Sequence, residues 1–99
     1  MKKLVRDKIP EIIEKSGKKA IIHIADNNEY WNSLKDKLIE EANEFINNNT
    51  QEELADILEV IYSICNYKNF DVNNIEKIRV KKAEERGGFK NKIILDETV

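Results

Sequence analysis

Cysteine, histidine, proline and tryptophan each occur once in the chain, and glycine three times. One cysteine, Cys65, leaves no intrachain disulfide and no thiolate zinc cluster, and it fits a reducing, cytoplasmic setting. One histidine, His23, rules out a site built from several histidines of one chain. The scarcity of proline and glycine leaves no long flexible linker. No apolar run exceeds a few residues, so no membrane span is expected, and no apolar stretch follows Lys2 and Lys3 to make a signal peptide. Nor is there a strong excess of one charge. The 99 residues carry a net charge of −2, which argues against a binder of nucleic-acid polymers or of membrane surfaces.

What is present is charge and helical periodicity. Charged residues make up 36% of the chain and hydrophobic residues 40%, enough apolar content for one folded domain spanning residues 1–99. Leu4 to Lys15 reads as an opening helix with Asp7 as N-cap, Pro10 in its first turn and Ser16-Gly17 at its end. Lys19 to Ala25 is a short β-branched run that reads as a strand containing His23. Phe89 with Ile93-Ile94-Leu95 reads as a second strand, suited to pair with Ala20–Ala25 in a small two-stranded ribbon.

Between these lie the long helices. Asp26 and Glu29 form a capping-box-like start. Trp31, Leu34, Leu38, Ala42, Phe45 and Ile46 then recur at three and four, predicting a helix over 27–47. Asn47, Asn48 and Asn49 break it, because asparagine tolerates the left-handed region. Thr50 and Glu53 form a second capping box. Leu54, Ile57, Leu58, Ile61, Ile64 and Cys65 give the next helix its apolar stripe, to about Tyr67. Asp71 caps a last helix over 72–86, stopped by Gly87 and Gly88. The expected fold class is therefore all-α, a helical bundle. A 99-residue monomer does not easily bury both long stripes, so a homodimer completing a four-helix bundle is the natural repair.

The acidic residues of the two long helices form a pattern. Glu40, Glu41 and Glu44 end the first helix, and Glu53 and Asp56 begin the second. Folding the chain at Asn48-Asn49 sets Glu44 level with Glu53, and Glu41 level with Asp56. Residues three apart share a helix face, so four carboxylates are expected to converge. No Lys or Arg lies between Lys37 and Lys68. Taken singly, each carboxylate reads as solvated helix surface. The matched register and the missing basic partners favour a bound cation for the group, since close like charges oppose folding. All-oxygen ligands suit Mg²⁺ or Mn²⁺, and Mg²⁺ commonly completes its shell with water and substrate phosphates.

A phosphate substrate needs cations from the protein. Lys2, Lys3, Arg6 and Lys8 cluster near the start, and Lys77, Arg79, Lys81, Lys82 and Arg86 on the last helix. Lys82 and Arg86 share a helix face. Chemistry alone leaves Arg6, Lys82 and Arg86 divided between phosphate binding and ordinary surface charge. Trp31 reads as core in preference to a base-stacking platform, and His23 as a partly exposed strand residue.

Glu40-Glu41-Ala42-Asn43-Glu44 followed by Glu53-Leu54-Ala55-Asp56 resembles the EExxE…ExxD signature of the all-α nucleoside triphosphate pyrophosphohydrolases. That superfamily includes MazG, the dimeric dUTPases and phosphoribosyl-ATP pyrophosphohydrolase. The stretch from Lys3 to Pro10 resembles the opening of its small MazG-like members, and that from Lys82 to Phe89 their closing motif. The similarity runs from residue 3 to about 95. The gap between the acidic motifs is shorter than in many members, and the chain is a minimal, single-module version.

The resemblance implies Mg²⁺-dependent hydrolysis of the α–β phosphoanhydride of a nucleotide substrate, giving a monophosphate and pyrophosphate. Glu41, Glu44, Glu53 and Asp56 would be the metal ligands, and Glu40 auxiliary to them. Glu40 and Glu41 are the candidates for catalytic proton transfer from water. Arg6, Lys82 and Arg86 would hold the phosphate chain. Hydrolysis of phosphoribosyl-ATP in histidine synthesis is an alternative reaction. A catalytically silent helical homodimer that binds a nucleotide or a protein partner is an alternative of another class.

Overall fold

The computed structural model describes residues 2–99. Among them are four helices: α1 (Ile9–Lys15), α2 (Asn27–Asn48), α3 (Gln51–Lys68) and α4 (Val72–Arg86). No strand occurs among the described residues, and the fold is all-α.

The two long helices start where their capping residues predict. The Asp26 carboxylate accepts the Glu29 backbone N–H at 2.8 Å, and the Thr50 hydroxyl accepts that of Glu53 at 3.4 Å. Each satisfies a donor that a helix N-terminus otherwise leaves unpaired. Asn49 closes α2 at φ 57° and Asn69 closes α3 at φ 58°, so both ends exploit asparagine's tolerance of the left-handed region. Asp71 caps α4 by accepting from the Asn73 backbone N–H at 2.9 Å, and Gly87 ends it at φ 84°.

Two expectations are corrected. The opening helix starts at Ile9, after Lys8, with no side-chain cap, so Asp7 does not cap it. The ribbon does not form. Residues 18–26 and 93–99 contain no strand, and Ile21, Ile24, Ile93 and Ile94 are each more than four-fifths exposed. A β-branched run forms a strand only where a neighbour takes up its backbone hydrogen bonds. The second segment instead trails from α4, a helix in no extensive contact with another among the described residues.

Helices α2 and α3 form an antiparallel hairpin and are the one helix pair in extensive contact among the described residues. At the end away from the Asn49 turn, the Trp31 ring stacks on Tyr67 at 5.4 Å between centroids, and Tyr30 meets Tyr67 edge-on at 5.5 Å. Trp31 thus serves helix packing, with the Lys35 and Lys68 ammonium groups about 5 Å from its ring centre. His23 lies in irregular chain and pairs with Glu29 at 2.9 Å.

The core is small. Leu34, Val60 and Cys65 are its buried apolar residues among those described. The radius of gyration is 17.9 Å, against roughly 13 Å for a compact domain of this length. The accessible surface is 9158 Å², against roughly 5,800 Å² for a compact monomer of this mass. No helix among the described residues is long and apolar enough to cross a membrane.

Candidate functional site

The hairpin register brings carboxylates together as a fold at Asn48-Asn49 predicts, but three and not four. Oxygens of Glu41, Glu53 and Asp56 lie within 4.8 Å of one another. Glu41 is 9% exposed, the one buried charged residue among those described. Glu44 stands one step outside. Asn48, the last residue of α2, donates from Nδ2 to Glu53 at 2.9 Å and reaches the Glu44 carboxylate at 3.4 Å. Its amide thus ties the last acid of α2 to Glu53 in the first turn of α3.

The group is not without cations, although none lies between its members in sequence. Lys37 Nζ is 3.1 Å from Glu40 and 3.2 Å from Glu41. Arg6 Nη2 donates to Asp56 Oδ1 at 2.8 Å, and Lys3 Nζ is 3.5 Å from Glu40. The N-terminal segment therefore lies along the acidic face and supplies two of the three cations. Burial alone lowers the affinity of Lys37 for its proton, but the hydrogen bonds and charges of Glu40 and Glu41 prevail and raise its pKa. Burial likewise pushes the Glu40 carboxyl up, while Lys37 and then Lys3 prevail and hold it below its ordinary value. Both groups are thereby fixed in their charged forms.

Four of these side chains, Arg6, Lys37, Glu41 and Asp56, line a cleft of about 660 Å³ between the N-terminal segment, α1 and the hairpin. Leu4, Ile9, Tyr30 and Tyr62 supply apolar and aromatic wall, while Arg6, Lys37, Glu41, Asp56 and Glu59 supply charge. The volume falls in the range of small-molecule sites. Glu59, one turn beyond Asp56, faces the same cleft.

The donor set fits a hard divalent cation. Octahedral Mg²⁺ places its ligand oxygens about 3–4 Å apart, so small rotamer changes would bring the three carboxylates into range. Arg6 would have to share or release Asp56 on binding, and a released guanidinium is a ready phosphate partner.

Lys82 and Arg86 do not join the site within one chain. They do not line the cleft, they are exposed, and they form no ion pair with any described residue. Lys37 and Asn48, not expected to take part, do. Their spacing carried the signal: Lys37 is one turn before Glu41, and Asn48 one turn after Glu44.

A protein of Mycolicibacterium smegmatis (strain ATCC 700084 / mc(2)155), described as uncharacterized, is 48% identical to this chain over 44 residues. The aligned stretch covers 44% of this chain and 45% of that protein. No family model matches the chain, and no solved structure matches it.

Proposed function

We propose that this chain is a Mg²⁺-dependent nucleotide pyrophosphohydrolase, cleaving the α–β phosphoanhydride of a nucleoside triphosphate-type substrate to a monophosphate and pyrophosphate. The observation that carries the reading is the meeting of Glu41, Glu53 and Asp56 at the edge of a cleft that Glu41 and Asp56 line together with Arg6 and Lys37. Oxygen ligands paired with a guanidinium suit a polyphosphate and its counter-ion better than a neutral ligand. The EExxE…ExxD spacing points the same way.

In this reading Glu41, Glu53 and Asp56 hold the cation, with Glu44 able to join them once Asn48 releases it. Mn²⁺ would fit the same ligands. The bound ion would neutralise charge on the leaving pyrophosphate and make a water molecule more acidic. Glu40 lies beside Glu41 with its oxygens paired to Lys37 and Lys3, and on exchanging one of those lysines for water it could orient that water and accept its proton. Arg6 transfers its hydrogen bonds from Asp56 to phosphate oxygens. Tyr30 and Tyr62 offer aromatic surface to the nucleoside end. The exposed apolar surface of the hairpin is covered by a second copy.

The test is an assay of pyrophosphate release from a panel of nucleoside and deoxynucleoside triphosphates with Mg²⁺. Release that disappears in Glu41→Gln supports the reading. A folded protein that releases none across the panel contradicts it.

A further inference from the structure

The segment that leads into α1 crosses the acidic face of the hairpin and is held there by side chains alone. Residues 2–6 belong to no helix, and among the described residues no backbone hydrogen bond joins them to the hairpin. The first backbone hydrogen bond of the segment runs from the Ile9 N–H to the Arg6 carbonyl at 3.0 Å, in the turn that opens α1. Leu4 and Val5 are half-buried and line the cleft. Arg6 and Lys3 supply the polar anchors, at Asp56 and Glu40.

The Arg6 anchor falls on one of the three carboxylates that meet. Arg6 Nη2 is 2.8 Å from Asp56 Oδ1, and Asp56 shares the 4.8 Å cluster with Glu41 and Glu53. A guanidinium at that distance repels a second cation from the same oxygen, so the two are competing partners of Asp56. Lys37 offsets Glu41 in a similar way, but from within α2, one turn before it, and stays where the helix puts it. Arg6 comes from irregular chain 50 residues from Asp56 and can leave with its segment.

The Arg6 contact is also weak enough to exchange. The Arg6 and Asp56 side chains are 56% and 37% exposed, and exposed ion pairs contribute little. A divalent ion carries twice the charge and approaches carboxylate oxygens more closely, so it is the stronger partner.

We propose that residues 2–6 form an autoinhibitory strap, in which Arg6 serves as a built-in counter-ion that keeps Asp56 from a divalent cation until the strap lets go. This rests on the reading of Glu41, Glu53 and Asp56 as ligands of that cation. Strap release and cation uptake are then one event. The closed strap reduces the apparent affinity for the ion in proportion to the fraction of chains in which it is open. It also gives the metal-free acidic face a positive partner that the stretch between Lys37 and Lys68 lacks.

Two measurements on the full chain test this without substrate. The first is titration with Mn²⁺ alone, read by the electron paramagnetic resonance of the free ion, at one ionic strength. Arg6→Ala should bind Mn²⁺ roughly two- to fivefold more tightly than wild type, the worth of an exposed ion pair. Lys15→Ala makes the same change in net charge on α1, where Lys15 pairs with Glu11, and should leave the affinity unchanged. Equal affinities in Arg6→Ala and Lys15→Ala, or no binding by any of the chains, overturn the proposal. The second is limited trypsin digestion, following release of residues 1–6 by mass spectrometry. Mn²⁺ should speed the cut after Arg6 in wild type and leave its rate unchanged in Glu53→Gln. A rate unaltered by Mn²⁺ in wild type, or raised equally in both, contradicts strap release. If wild type releases no pyrophosphate from nucleotides, the proposed reaction fails while the Mn²⁺ titration still decides the strap. If pyrophosphate is released and Arg6→Ala binds Mn²⁺ no more tightly, the strap fails and the reaction stands.

Discussion

Glu41 and Asp56 face each other at one level of the α2–α3 hairpin, and each is paired with a cation from outside the acidic motifs. Lys37 Nζ lies 3.2 Å from Glu41, and Arg6 Nη2 lies 2.8 Å from Asp56. Between them Glu53 accepts only a neutral partner, the Asn48 amide at 2.9 Å. The cluster is thus held together by two basic side chains and one amide, which leaves one carboxylate whose charge no cation offsets.

That difference predicts unequal responses to neutralisation. Glu53→Gln removes like-charge repulsion and keeps an oxygen for Asn48, so the metal-free protein should keep or gain stability. Asp56→Asn loses an exposed pair with Arg6 and should cost about 0–1 kcal/mol. Both should abolish the rise in melting temperature that Mg²⁺ gives the wild type. Melting curves with and without Mg²⁺ test this. A large loss of metal-free stability in Glu53→Gln would make that residue structural.

Lys37 is the part-buried ammonium of the network, and its side chain is 17% exposed. Lys37→Met should destabilise the protein by about 1–3 kcal/mol, because the Glu41 carboxylate loses its partner. Denaturant unfolding at neutral pH measures this.

The same network sets a pH dependence. The Glu40 carboxyl is held below its ordinary value of 4.5, and the Lys37 ammonium above its ordinary 10.5. Glu40 therefore contributes stability that is present above pH 4.5 and lost as pH falls through its lowered folded value. Lys37 contributes stability that is present below pH 10.5 and lost as pH rises through its raised folded value. Melting temperature against pH should show both limbs in wild type. The alkaline limb should flatten in Lys37→Met.

Arg6 is predicted to grip phosphate after releasing Asp56. Arg6→Ala should raise KM for the triphosphate substrate at least several-fold, with a smaller change in kcat, if its contact is made equally in ground and transition states. Steady-state kinetics with Arg6→Lys alongside distinguishes planar hydrogen bonding from charge alone.

The helices and the acidic pairing were legible because their determinants are local. Asp26, Thr50 and Asp71 each cap within three residues, and one asparagine, Asn49, turns the chain so that two three-residue spacings meet. The ribbon is absent although Ile21 to Ile24 and Ile93 to Leu95 have β-forming composition, because pairing depends on tertiary neighbours that composition does not report. The cations of the cluster are hard to read from sequence for a related reason. Arg6 is 50 residues from Asp56, so no window along the chain contains both. Lys37 was visible at one helical turn from Glu41, but it stands at the edge of the acidic span. Lys82 and Arg86 share a face of α4, but they do not line the cleft of their own chain.

Phosphorus NMR of a nucleoside triphosphate panel incubated with the protein and Mg²⁺ tests the central claim most directly, because it identifies which phosphoanhydride breaks. The account predicts nucleoside monophosphate and pyrophosphate in equal amounts, absent with a chelator and absent in Glu41→Gln. Release of orthophosphate with a diphosphate product, or no turnover by folded protein across the panel, would contradict it.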